Sequence, residues 1–126
     1  MPAKFDYLES EPPYPCITIS VENRKSKLRI DEIIALVDTG ADRTVFPRSM
    51  IDSIESQSVD SVSFLDFLGN HVELPIYRVL ISIEGVDTID MDVAAREGDL
   101  DILIGRDVLN QFRMLLDGPN RKLEIE

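Results

Sequence analysis

Apolar and polar residues alternate along much of the chain in short runs, a pattern typical of half-buried β-strands. The run "CITISVE" (16–22) alternates in this way, and "LRIDEIIALV" (28–37) follows it after the polar segment "NRKSK". These two runs predict a pair of long antiparallel strands. The next segment, "PRSMIDSI" (47–54), begins with proline and carries apolar residues three and four positions apart, which predicts a short helix or turn.

The middle of the chain predicts further strands. "SVSFLDFLGNHVELPIY" (61–77) indicates a β-hairpin that turns at Gly69 and Asn70, because these residue types tolerate the positive φ angles of a two-residue turn. The apolar positions change parity after this run, so we expect a bulge or bend near residues 75–78. "TIDMDV" (88–93) predicts a half-exposed strand.

The last third of the chain combines a buried strand with a short helix. The apolar run "ILI" (102–104) ends on a glycine and predicts a buried strand, and "RDVLNQF" (106–112) predicts about two helical turns. "RMLLDGPNRKLEIE" (113–126) predicts two strands around a tight turn. Many short strands with little helix indicate an all-β fold, closed and barrel-like, which limits exposed strand edges.

The first residues differ from the rest in composition. Residues 1–15 contain four prolines and three acids, which favours an extended backbone. We therefore expect an extended N-terminal arm (1–15) and one folded domain (16–126).

The charge balance excludes some partners. The chain of 126 residues has 24 acidic and 13 basic residues and a formal net charge of −11 at pH 7. This charge opposes binding to nucleic acid or to an anionic membrane surface. Cys16 is the single cysteine, no apolar run is long enough to span a bilayer, and the start lacks the apolar core of a signal peptide. We expect a cytoplasmic protein.

One stretch carries candidate chemistry. In "ALVDTGADRTVF" (35–46), Asp38 follows an apolar strand directly, and Thr39 and Gly40 form a bend. Asp-Thr-Gly alone is common in turns. Its position after one apolar strand, with a second apolar strand that ends on Gly105, is far more specific. A sheltered carboxylate becomes useful if it meets a second one, because the pair then holds one proton and can activate water.

These residues resemble the retropepsins, the retroviral-type aspartic proteases. The resemblance covers about residues 15–126 and is carried by Ala35 to Asp42 with Thr44-Val45, and by Ile104-Gly105-Arg106-Asp107 with Leu109 and Gln111. It implies a retropepsin (acid protease) fold and a homodimer in which an Asp38/Asp38 dyad activates water to hydrolyse peptide bonds of an extended polypeptide. It implies no metal and no other cofactor.

The resemblance also implies roles for single residues. The catalytic residues would be Asp38, Thr39 and Gly40, with the Thr39 hydroxyl donating across the dimer axis. An ion pair between Asp42 and Arg106 would fix the loop. The substrate-binding residues would be the loop, a pocket wall and the flap-like hairpin: Gly40, Ala41, Asp42, Leu103, Leu68, Gly69 and Asn70.

One feature leaves an alternative open. The hairpin has one glycine where retroviral flaps are glycine-rich, which suits a catalytically silent peptide-binding or regulatory module on the same fold.

The segment "VDTI" (86–89) is not a second catalytic loop, because Ile89 stands where the motif needs glycine. With one complete motif, a dyad requires two chains. His71 stands alone beside a turn and predicts no metal site.

Overall fold

The structure is a computed structural model, and it describes residues 2–65, 68–98 and 101–126. In this part of the chain, two short helices accompany the strands: α1 (Arg48–Ser53) and α2 (Arg106–Leu109). The strands are β1 (Ala3–Asp6), β2 (Cys16–Glu22), β3 (Arg29–Val37), β4 (Val45–Pro47), β5 (Ser58–Leu65), β6 (His71–Ile83), β7 (Thr88–Arg96), β8 (Ile102–Ile104), β9 (Met114–Asp117) and β10 (Lys122–Ile125).

The main sheet closes into a six-stranded barrel. Its strand order is β2-β3-β8-β4-β7-β6-β5, and β2 also pairs with β6, so the ring closes and β5 stays outside it. Because the ring is closed, its strands leave no open edge within it. The prediction of an all-β, closed, barrel-like fold is confirmed. The barrel encloses β-branched and aromatic side chains that are buried almost completely, among them Ile17, Ile19, Phe46, Ile81 and Ile104.

The two strands that lead to the motif agree with the sequence pattern. They pair antiparallel, with Cys16 opposite Leu36 and Ile17 opposite Ala35. On its other edge, β3 runs parallel to β8, with Val37 beside Ile104. The end of β3 therefore lies next to the end of β8, and both motif segments meet at one end of the barrel.

The β5–β6 hairpin differs from the prediction at its turn. Leu65 pairs with His71, so five residues connect the strands instead of two, and residues 66 and 67 of this connection lie outside the described part. Gly69 adopts a φ of 83°, the left-handed conformation that glycine tolerates. The irregularity expected near residues 75–78 occurs in the partner strand, where the register shifts between Ser58 and Asp60.

A second, three-stranded sheet has the order β1-β10-β9. Residues 3–6, expected in an extended arm, form its first strand, and Phe5 pairs with the fully buried Leu123. The pattern "AKFD" offered too few apolar positions to predict a strand. Helix α2 has four residues, about one turn rather than the two expected. Within the described residues, the structure has no helix long and apolar enough to cross a membrane.

Candidate active site

Asp38 lies immediately after β3, with its carboxylate partly exposed. Its backbone N–H donates to the Ile104 carbonyl at 3.0 Å, which continues the β3–β8 ladder by one residue. Its Oδ1 accepts the Gly40 N–H at 3.0 Å, and its carbonyl accepts the Ala41 N–H at 3.2 Å. The bend thus orients the carboxylate through the backbone of the same loop.

Hydrogen bonds of Thr44 connect the loop to the start of α2. The Thr44 side chain is fully buried, and its hydroxyl donates to Asp107 Oδ1 at 2.7 Å while accepting the Gly105 N–H at 3.1 Å. The Thr44 N–H donates to Asp107 Oδ2 at 2.9 Å. The sequence motif includes both residues but predicts no role for them, because no local pattern reveals a bond between positions so far apart in the chain.

Arg106 supports the loop differently from the prediction. Its backbone N–H donates to the Ala41 carbonyl at 2.9 Å, and its Nη1 donates to the Thr39 carbonyl at 2.8 Å. The described residues of the single chain contain no Asp42–Arg106 ion pair. The guanidinium instead satisfies a carbonyl that the tight bend leaves without a strand partner, and Asp42 stays exposed.

Two glycines allow close packing in this region. A Cβ on Gly105 would lie 2.5 Å from the Arg43 carbonyl carbon, so only glycine lets the loop backbone cross here. A Cβ on Gly40 would lie 3.2 Å from Asp38 Oδ1, the oxygen that accepts the Gly40 N–H.

The other site residues divide into two groups. Thr39, Gly40, Ala41 and Asp42 follow Asp38 in one loop, and Leu103 is close because it pairs with Leu36 across β3 and β8. Leu103 is partly exposed. Leu68, Gly69 and Asn70 lie in the connection at the end of the β5–β6 hairpin, where Leu68 is 86% exposed.

Comparison with known proteins shows the family of the chain. The family model described as "Retroviral aspartyl protease" matches residues 11–117. The chain belongs to the retroviral aspartyl protease family. No curated protein sequence matches the chain.

Two solved protease structures have a fold similar to that of this chain. The retropepsin-like aspartic protease from Rickettsia conorii has a TM-score of 0.63 and 16% identity, covering 99% of this chain and 91% of that one. The EIAV protease complexed with the inhibitor HBY-793 has a TM-score of 0.56 and 19% identity, covering 82% and 89%. The retropepsin fold prediction is confirmed.

Proposed function

We propose that the protein is a homodimeric aspartic endopeptidase whose active site combines Asp38 from two chains. The observation that carries this proposal is the Asp38 carboxylate itself. It stands at the end of a barrel strand, it is oriented by the Gly40 N–H, and its loop is fixed to α2 by Thr44 and Arg106. Such fixed orientation is what acid–base catalysis requires.

The chemistry needs two carboxylates and one water. Two carboxylates about 3 Å apart hold a single proton between them, as aspartic proteases do in general, because both cannot ionise cheaply at that distance. The ionised Asp38 takes a proton from the water, and the protonated Asp38 donates to the scissile carbonyl oxygen. The resulting tetrahedral intermediate then collapses as the leaving amine is protonated.

The second chain would dock on β9, one of the two edge strands of the small sheet. Within the described residues, β9 pairs on one side with β10 and is open on the other. Leu115 and Leu116 point to opposite faces of this strand and are 56% and 49% exposed. An open strand with apolar residues on both faces is suited to pairing with another strand, so a second copy would cover it.

The β5–β6 hairpin would cover the bound peptide. Its end carries apolar side chains that the single chain leaves in solvent, with Leu65 68% and Leu68 86% exposed. Apolar residues this exposed are suited to contact a substrate when the hairpin closes over the loop.

The test is cleavage of unfolded protein and of a mixed-peptide library by purified wild-type protein and by Asp38→Asn. We expect cleavage by the wild type, none above background by Asp38→Asn, and an unchanged sedimentation coefficient. Asp87→Asn, in an exposed turn, is the matched control and should cleave normally. Cleavage by Asp38→Asn at the wild-type rate would refute the proposal, and peptide binding without cleavage by the wild type would favour the silent peptide-binding module.

A further inference from the structure

A groove lies where two strands separate along one edge of β6. On this edge β5 pairs with β6 as far as Tyr77, opposite Ser58, and β2 pairs with it from Leu80, opposite Glu22, since β7 pairs along the other edge. In the described part of the chain, no strand pairs on this edge with the stretch of β6 between Tyr77 and Leu80. A groove of about 690 Å³ occupies the gap, a volume typical of ligand-binding clefts.

The two walls of the groove are connected to each other. One wall is formed by the β2–β3 turn (23–28), and the other by the segment that leads from α1 into β5 (55–59). The Asn23 side chain is buried, and its Nδ2 donates to the Ile54 carbonyl at 3.0 Å. The same carbonyl accepts the Ser26 hydroxyl at 3.0 Å. These bonds fix the distance between the walls, so the groove is preformed.

The β2–β3 turn is well braced and carries an unusual charge for this chain. The Asn23 N–H donates to the Leu28 carbonyl at 3.0 Å, and the Lys27 N–H donates to the Asn23 carbonyl at 2.8 Å. The Lys25 N–H donates to Asn23 Oδ1 at 3.0 Å. The run "NRKSKLR" (23–29) holds four of the 13 basic residues and no acid. In a chain with a net charge of −11, the turn is therefore a local positive site.

The ion pairs around the groove show which cations are available to a partner. The Asp90 carboxylate lies between two guanidiniums: its Oδ1 accepts from Arg78 Nε at 2.8 Å, and its Oδ2 is 2.9 Å from Arg24 Nη2. Lys25 and Lys27 are exposed, and neither forms an ion pair with the residues that the structure describes. The arginines thus have a partner within the molecule, whereas the two lysines can pair with an acid from outside.

We propose that this groove binds an acidic, extended segment of a partner polypeptide. The carboxylates of the segment pair with Lys25 and Lys27 on the turn. Its apolar side chains contact Val59, which is 60% exposed, and the partly exposed Leu80, both of which line the groove. Glu55 on the facing wall repels carboxylates, which places them on the side of the turn.

The groove is separate from the candidate active site. Glu22 pairs with Arg29 at the turn end of the β2–β3 hairpin, and Cys16 pairs with Leu36 at the end where Asp38 lies. Strand β3 has nine residues, so about 30 Å of strand separates the two ends. The inference therefore does not rest on the proposed function.

The experiment titrates two labelled peptides by fluorescence anisotropy against Asp38→Asn, so that cleavage of the probe is not a factor. One peptide has eight residues of alternating glutamate and leucine, and the other has glutamine in place of glutamate. The net charge of −11 disfavours the glutamate peptide, so a preference for it requires a local positive site. We expect the glutamate peptide to bind at least about tenfold more tightly. Equal binding of both peptides, or binding of neither, would overturn the inference.

Variants of the turn test the role of the lysines. Lys25→Gln/Lys27→Gln removes the two cations without an ion pair, and we expect the dissociation constant of the glutamate peptide to rise about tenfold. Lys4→Gln/Lys122→Gln changes the net charge equally, but in the small sheet, and is the matched control that should bind as before. A rise of the same size in both double variants would contradict binding at the turn.

Variants of the facing wall test whether the peptide occupies the groove. Val59→Glu places a charge of the peptide's own sign on this wall and should also weaken binding about tenfold. Ile34→Glu, at a 48% exposed position of β3, is the control for net charge and should have little effect. Unchanged binding by Val59→Glu would place the peptide outside the groove and overturn the inference. Tighter binding of a single-stranded oligonucleotide than of the glutamate peptide would contradict a polypeptide partner.

Discussion

Thr44 and Asp107 are joined by two hydrogen bonds, from the Thr44 N–H to Oδ2 at 2.9 Å and from its hydroxyl to Oδ1 at 2.7 Å. Thr44 lies in the loop that follows Asp38, and Asp107 lies in α2, which follows β8. The bonds therefore connect the two segments of the motif across the barrel edge. Hydrogen bonds to a charged acceptor are stronger than neutral ones, so this pair contributes most to holding the loop against α2.

Replacing Thr44 with valine keeps the shape and removes the hydroxyl. The change leaves the Gly105 N–H and Asp107 Oδ1 without that partner in a buried place, so we expect a loss of about 2–3 kcal/mol in the free energy of unfolding. Urea denaturation measures it. Thr88→Val, whose exposed hydroxyl lies 2.9 Å from Ser82 Oγ, is the control and should cost under about 0.5 kcal/mol. Equal costs for both variants would contradict the role given to Thr44.

Replacing Gly105 with alanine should destabilise the protein for a steric reason. The added Cβ would lie 2.5 Å from the Arg43 carbonyl carbon, and backbone cannot move aside as a flexible side chain can. We expect a cost of about 3 kcal/mol or more, measured by thermal or urea unfolding. Gly118→Ala meets no atom within 4 Å and should be nearly neutral. A stable, active Gly105→Ala protein would show that the loop crossing is looser than described.

Cys16 should react slowly with thiol reagents in the folded protein. Its side chain is 4% exposed, burial raises the pKa of the thiol, and the negative charge of Asp6 adds to the shift. A raised pKa keeps the thiol neutral to higher pH, and only the thiolate reacts. At pH 8 we expect modification by Ellman's reagent to be at least about a hundredfold slower than in denaturant. Comparable rates in both states would indicate that β2 opens readily.

The proposed dimer surface can be tested at β9. Leu115→Asp/Leu116→Asp places charges on both faces of the edge strand, and we expect the dimer dissociation constant to rise at least about a hundredfold, measured by sedimentation equilibrium. Leu28→Asp, on a 40% exposed leucine in the β2–β3 turn, is the control and should leave the dimer intact. A dimer that survives the β9 variant would place the interface elsewhere.

The sequence predicted best those elements that local pattern determines. The bounds of β2 and β8 match the predicted runs residue for residue, because each run is apolar or alternating and ends in a clear break. The prediction of a two-residue β5–β6 turn was wrong. The choice between a two-residue and a five-residue connection depends on the pairing of Leu65 with His71. Strand β1 was missed because it is stabilised by its partner β10.

Site geometry was less accessible from the sequence. The motif predicts where Asp38 lies, but not that Arg106 would donate to the Thr39 carbonyl while Asp42 remains exposed. The predicted roles of Thr39, Leu68, Gly69 and Asn70 concern a bound peptide or a second chain, and they stay predictions.

Subunit mixing tests the central claim most directly, because it asks whether one active site needs Asp38 from two chains. Wild-type and Asp38→Asn proteins are mixed at constant total concentration, allowed to exchange subunits, and assayed for peptide cleavage. If each site needs both carboxylates, an equal mixture should retain about one quarter of the wild-type activity, since only wild-type homodimers act. Retention of about one half, in linear proportion to the wild-type fraction, would show that each chain acts alone and would contradict the shared dyad.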